Sequence, residues 1–394
     1  MRDAIVVGGG PAGSAMALLL RQRGHDVLLM DAARFPRDKV CGEGVSPEAW
    51  RLLRALDADG AVRALRPHAL RGMTLTSSDG TTFAGHYGDG REPGFAVRRD
   101  ALDLALLGRA RAAGVEVKEG SRVTGLLRDR GSVVGVAWEN GHGPKSSEAR
   151  LVVGADGRRS RVARDLGLLR ESPRGHKFAV RGHWEGMEGL TDHGEMHVGG
   201  GGYCGVAPLS PTCANVAFVL DRGGMAAAAG DLEAFYRKTL LRWPRLAERL
   251  AQARLLASPR AIGPLALEAR QVSAPGALLV GDAAGFFDPF TGEGVTLALR
   301  SAELAAEVAD RALKGGRTRD LTEYDRLRRE ATRDKFRFNH LIQFVVTWPA
   351  LGNAVARRLT RKPDLADRLV GIAGDFVPAR TALGPGFLRE LLLG

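Results

Sequence analysis

Cysteine is the scarcest side chain here, three in 394 residues, at positions 41, 204 and 213. That number and spacing supply neither a disulfide framework nor a metal-ligand set. His183, His193 and His197 fall in a glycine-rich stretch without zinc-site spacing, so no metal is expected. No uninterrupted apolar run reaches the ~20 residues of a membrane span. The first thirty residues show no signal-peptide pattern, because their first apolar run reads as a core strand. Repeats and low-complexity tracts are absent. A cytoplasmic protein is therefore expected, and with 44% hydrophobic residues the chain can bury two cores. Acids are the minority sign, 45 against 57 Lys and Arg, for a formal charge of +12. The arginine clusters at 158–164, 326–337 and 357–362 lack interleaved aromatics, which argues against nucleic acid. Two explanations stay open for the charge, a solvated arginine-rich surface and an anionic membrane surface. The tail from Phe336 onward alternates apolar stretches (341–346, Trp348, Phe387, Leu388, Leu391–Leu393) with Arg357, Arg358, Arg361 and Lys362. Such a pattern suits either peripheral contact with lipid or helices packed over the rest of the fold.

Glycine is abundant, and its placement is informative. Ala4–Val7 reads as a buried parallel strand running into Gly8-Gly9-Gly10-Pro11-Ala12-Gly13, a GxGxxG in strand–turn–helix context. Gly8 allows the tight turn, Gly10 the approach of a pyrophosphate, and Gly13 the packing of a helix over Ser14–Arg23. A second strand, Val27–Met30, ends on Asp31, where an acid accepts from ribose hydroxyls. Near the other end, strand Ala277–Val280 leads into GDAAGFFDPFTGEGV, residues 281–295. Gly281 and Asp282 suit a flavin: the carboxylate can accept from ribityl hydroxyls while small neighbours let the backbone approach. After the Pro289 turn a helix is expected to open near Thr291–Val295, with Gly292 and Gly294 at its positive end, facing the flavin edge where reduction gathers negative charge.

A third strand, Leu151–Val153, runs into Gly154-Ala155-Asp156-Gly157-Arg158-Arg159-Ser160. With these three elements in this order, the chain resembles the flavoprotein superfamily of para-hydroxybenzoate hydroxylase type, and within it the geranylgeranyl reductase-like branch, over roughly residues 1–340. The resemblance implies a Rossmann-like FAD domain of glutathione-reductase type carrying an inserted antiparallel sheet, an α/β fold with an α+β substrate domain. It implies that Gly8, Gly10, Gly13 and Asp31 hold the ADP half of FAD and that Asp282 holds the ribityl chain. Asp156 is expected beside the pyrophosphate, and Arg99, before an R-x-x-L-D helix start, near the flavin phosphates. With one GxGxxG in context and no separate nicotinamide domain, electrons are expected from transiently docked NAD(P)H or a reduced partner protein.

Cys41-Gly42-Glu43-Gly44 matches a C-G-[DE]-G segment of that branch, where the chain passes beside the flavin ring. Cys41 is the catalytic candidate, since hydride added to one alkene carbon leaves the other needing a proton; a small cysteine packed against the ring is the competing reading. Arg34, Arg37 and Lys39 either raise the local field at the thiol or solvate this loop. Tyr203-Cys204-Gly205-Val206-Ala207-Pro208 aligns with the Y-x-W-x-F-P segment of the reductases and more loosely with the W-x-W-x-I-P of flavin halogenases. Gly205 and Ala207 replace both large aromatics, which predicts a wider substrate pocket, with Tyr203 and Pro208 also at its wall, and argues against halogenation. Two chemistries follow for a small hydrophobic isoprenoid, lipid or polyketide-derived substrate: double-bond reduction, or monooxygenation by reduced flavin and oxygen. A third reading is a prenyl carrier on the same fold without redox turnover. The expected FAD domain comprises 1–72, 95–168 and 262–335, the sheet domain 73–94 and 169–261, and a helical tail 336–394.

Overall fold

The computed structural model describes residues 1–88, 92–171, 177–228, 230–269, 271–286, 288–375 and 377–392; Phe287 of the 281–295 segment and Leu393 of the tail lie outside them. Ala4, Ile5 and Val6 are wholly buried, as a strand covered on both faces requires. Strand Arg2–Val7 lies between Pro144–Gly154 and Val27–Met30, parallel to both, with Val7 level with Gly154 and Met30. Ala277–Leu279 pairs parallel on the far side of Pro144–Gly154, Leu279 opposite Gly154, and Glu116–Lys118 completes the parallel set. These registers bring the residues after four strands to one carboxyl edge of the sheet, the place where open α/β sheets bind ligands. Helices Pro11–Gln22, Arg99–Ala112 and Gly294–Lys314 cover the sheet.

A second sheet runs in the order Arg254–Leu255, Lys177–Glu185, Cys213–Asp221, Gly202–Pro208, His193–Gly199, Gly72–Thr76, Thr82–His86. Its pairing is antiparallel except between His193–Gly199 and Gly72–Thr76. Period-two alternation divides its residues. Val180, Trp184, Cys204, Val206, Phe218 and Leu220 face back onto helices Leu232–Leu240 and Pro244–Leu250. Ala179, Met196, Tyr203 and Val219 face forward. The glycine run 199–202 forms a hairpin tip between two strands, Gly200 and Gly201 taking φ +62° and +83°.

The helix after Pro289 begins at Gly294, within the expected stretch Thr291–Val295, because Gly292 adopts φ +69° and holds the segment before it as a loop. The helix Thr322–Thr347 runs unbroken across residues 335 and 336, so the tail continues the first domain without a linker. Tail helices Pro349–Arg361 and Pro363–Ala373 pack on strand Thr82–His86, where Phe83 meets Phe338, Leu359 and Leu365. A Cβ on Gly85 would lie 2.6 Å from the Ala366 carbonyl oxygen, so this contact is backbone to backbone. Phe344 and Trp348 stay 57% and 59% exposed. Among the described residues no helix is long and apolar enough to cross a membrane.

Candidate active site

One cavity of about 650 Å³ runs from the carboxyl edge of the first sheet to the front face of the second, within the range of small-molecule and cofactor sites. At its first end, Gly8 turns with φ +107°, and a Cβ there would sit 2.4 Å from the Ala155 carbonyl oxygen. Gly10 borders the cavity, with Arg37 Nη2 3.4 Å from where its Cβ would be. Gly13 does not border it: a Cβ would lie 1.8 Å from the Gly8 carbonyl oxygen, so this glycine serves helix-to-strand packing alone. The helix that starts at Pro11 has no side-chain cap, so its first N–H groups are left for a bound anion. Asp31 accepts from the N–H of Gly9 and of Ala33, both at 2.7 Å, and each oxygen keeps a lone pair for a hydroxyl.

Asp156 borders the cavity, but its carboxylate is spent on its own turn: it accepts from Ser160 Oγ at 2.5 Å and Arg161 N at 2.6 Å. Burial pushes this carboxyl up, against those hydrogen bonds. Arg99 borders the cavity as well, and its guanidinium grips buried Asp103 twice at 2.9 Å. Burial alone would make it less basic; Asp103, then Cys41, outweigh that and hold it charged. Of the three charges beside Cys41, Arg37 and Lys39 line the cavity, as the field-raising alternative has it, and Arg34 is exposed. The Lys39 ammonium is held below its ordinary range by burial and by Arg99, Arg37 and Arg158, against the pull of Asp282. This cationic set around the open helix N-terminus fits a diphosphate. Asp282, Gly281, Gly292 and Gly294 border the same cavity. A Cβ on Gly281 would lie 2.7 Å from that of Ala12, so the two motifs touch.

Cys41 also lines the cavity, half-buried, its sulfur accepting from the Glu43 N–H at 3.4 Å. Its position is fixed by a clasp that sequence reasoning missed. Glu43, 1% exposed with φ +63°, accepts from the Arg99 N–H at 3.0 Å, from His183 Nε2 at 2.7 Å and from Asn215 Nδ2 at 2.8 Å. The same Asn215 amide donates to the Cys41 carbonyl at 2.8 Å. Arg181 donates to His183 Nδ1 at 3.1 Å and pairs with Asp38, so His183 presents its Nε2–H to Glu43.

On the second sheet, Tyr203, Gly205 and Ala207 face the cavity, whereas Pro208 ends its strand without reaching it. A Cβ on Gly205 would meet only Met196 Cε at 3.6 Å and carbonyl oxygens at 3.8 and 3.9 Å, ordinary contacts. The space over Gly205 is therefore open. A second missed cluster stands at Tyr203, whose hydroxyl donates to Asp288 at 2.6 Å; Lys177 and Gln343 each donate to the same carboxylate at 3.0 Å. Burial, then Asp288, raises the Tyr203 hydroxyl well above its ordinary value.

A family model described as FAD binding domain matches residues 1–338. The chain belongs to this family. It is 31% identical over 325 residues to menaquinone reductase of Mycolicibacterium smegmatis, covering 78% of this chain and 76% of that protein. To digeranylgeranylglycerophospholipid reductase 1 of Methanopyrus kandleri it is 31% identical over 318 residues, covering 79% and 81%. Among solved structures it is similar to CmlS, a flavin-dependent halogenase, with a TM-score of 0.83 and 25% identity over 97% of this chain and 77% of the other. The protein is an FAD-dependent oxidoreductase of the geranylgeranyl reductase-like branch, with FAD as its cofactor.

Proposed function

We propose that this oxidoreductase saturates carbon–carbon double bonds of an apolar, isoprenoid-type substrate held between the flavin and the front face of the second sheet. The observation that carries the reading is Cys41 in the wall of a cavity that joins the flavin motifs to that apolar face. Reduced FAD supplies a hydride. Cys41 gives the proton to the second alkene carbon, and Arg99 and the Glu43 N–H already face the sulfur that is left with the charge. The thiol regains its proton from solvent, so the alkene gains one hydride and one proton per turnover. Electrons come from NAD(P)H or a reduced partner protein. The exposed Arg159, Arg161 and Arg164 at the cavity rim supply the charge to receive either. The two relatives named reductases support this reading. We place the protein in the cytoplasm, in peripheral contact with membrane and without a nucleic-acid partner.

Monooxygenation is the second reading, favoured by the open space at Gly205 and Ala207. Anaerobic mixing of reduced protein with a polyprenyl alkene separates the two. Flavin reoxidation with a product two hydrogens heavier supports reduction; oxygen incorporated under air, with no anaerobic turnover, overturns it. Cys41→Ser keeps the flavin spectrum and slows product formation by about 10²–10⁴-fold, the span of a lost general acid; unchanged turnover removes Cys41 from the chemistry.

A further inference from the structure

The corner between helices Thr322–Thr347 and Pro349–Arg361 has two faces with different tasks. Inward, Ile342 and Val346 pack against the cluster of Ala179, Met196, Tyr203, Val219 and Phe290 that walls the cavity. Outward, Phe344 and Trp348, four residues apart and so on one helical face, are 57% and 59% exposed. Other large apolar side chains exposed among the described residues, such as Leu104, Leu241 and Leu256, are scattered elsewhere in the chain. Charge frames the corner. Residues 333–362 hold seven Lys and Arg against one acid, Asp334; Lys335 is buried and paired with Glu293 and Asp375, which leaves six bases at the surface, of which Arg357 reaches Asp79. None of the seven lies between Phe338 and Ala356. Arg333 and Arg337 stand before the apolar tip, and Arg357, Arg358, Arg361 and Lys362 follow it. An apolar tip with a tryptophan, flanked on both sides by bases, matches a bilayer interface in which aromatics sit at headgroup depth and bases meet anionic lipid.

We propose that this corner docks on an anionic lipid bilayer, with Phe344 and Trp348 inserted at the interface, so that the helix turn closing the cavity on one side rests on lipid with the other. The proposal rests on the apolar-substrate reading above, since such a substrate resides in lipid. Its chemistry names no protein partner, and a second copy of the chain is an outcome of the test.

The test is flotation of the flavin-loaded full chain with vesicles of phosphatidylcholine alone or with one third phosphatidylglycerol, followed by Trp fluorescence. Wild type is expected to float with the anionic vesicles, more weakly at high salt, and to shift its emission to the blue. Phe344→Ser/Trp348→Ser is expected to bind at least about tenfold more weakly per residue removed. It should keep its flavin absorbance and its turnover of detergent-dispersed alkene. Leu241→Ser, on a distant exposed side chain, should float like wild type. Equal binding by the double variant, or no flotation of wild type, overturns the proposal. So does a concentration-dependent dimer that the double variant abolishes without any vesicle binding. Because flotation uses no substrate, failure of the reductase reading would show as lost alkene turnover with lipid binding intact.

Discussion

Glu43 is the residue whose replacement should say most about how the cavity is held. Its carboxylate takes three hydrogen bonds at 2.7–3.0 Å in a site where it is 1% exposed, and its backbone sits at φ +63°. Removing it leaves the Arg99 N–H, His183 and Asn215 donors without an acceptor. At roughly 1–3 kcal/mol for each buried group left unpaired, and allowing for their coupling, Glu43→Ala should lose about 3–6 kcal/mol. That is a large share of the ~5–15 kcal/mol that holds a typical protein folded. Glu43→Gly loses the same bonds but escapes the left-handed penalty of a side chain, so it should stand about 1 kcal/mol above the alanine variant. Urea unfolding followed by circular dichroism measures both. The local readout is the rate at which a thiol reagent modifies Cys41, in a Cys213→Ser background because Cys213 is also partly accessible while Cys204 is buried. Both variants should expose Cys41 faster. An alanine variant as stable as wild type with unchanged Cys41 modification, or a glycine variant less stable than alanine, would refute the clasp.

Asp282→Ala should raise the FAD dissociation constant about 10–100-fold, the loss of one charged hydrogen-bonding contact, read by titrating apoprotein with FAD; full occupancy at low FAD contradicts its assignment. Asp38 gives the pH prediction. Burial acts to raise its carboxyl, but Arg260 and Arg181 outweigh it and hold it below its ordinary value of 3.8. An acid depressed in the folded state adds stability that is fully present above 3.8 and disappears as pH falls through the lower folded value. The melting-temperature gap between wild type and Asp38→Asn should therefore be constant from pH 5 to 7 and close below 3.8. A gap that persists undiminished at the lowest pH would show that the pairs with Arg181 and Arg260 contribute nothing.

What was legible in the sequence is local. Each strand-to-turn motif lies within a few residues, so Gly8, Gly10, Asp31 and Asp282 could be read from neighbours in the chain, and the parallel registers then bring them to one edge. The clasps were hidden because they join residues far apart: Glu43 with His183 and Asn215, 140 and 172 positions away, and Asp288 with Lys177, 111 away. A signal was nevertheless present. In strand Lys177–Glu185, Lys177, Arg181 and His183 share one face by period two while Phe178, Val180 and Trp184 share the other. With Glu185 on the first of these, a face with a charge or imidazole at four of five positions, opposite a fully apolar one, must meet polar groups or water. Weighed only for zinc-site spacing, His183 lost that information. The R-x-x-L-D pattern around Arg99 was likewise legible, whereas its pairing with Asp103, one turn on, was not read from it.

The two clasps also bear on what the cavity accepts. One lies at Asn215, which stands opposite Ala207, and the other at Tyr203, four residues along the same strand and therefore about 13 Å away. Between them the wall is Gly205 facing Ala217, with Met196 beside it, and no polar side chain. The carboxylates at both polar ends are already satisfied by the protein itself, and Asn215 Oδ1 is the polar atom there left without a partner. Asp288 accepts from Tyr203, Gln343, Lys177 and the Phe290 N–H, and Glu43 accepts from three donors. A substrate headgroup entering there would have to displace one of these bonds, at a cost of about 1–3 kcal/mol for each partner left bare. An apolar chain costs nothing of the kind and fills the space the missing aromatics leave. The site thus selects by shape and apolarity along its length and leaves any polar headgroup at the mouth, where the arginines stand.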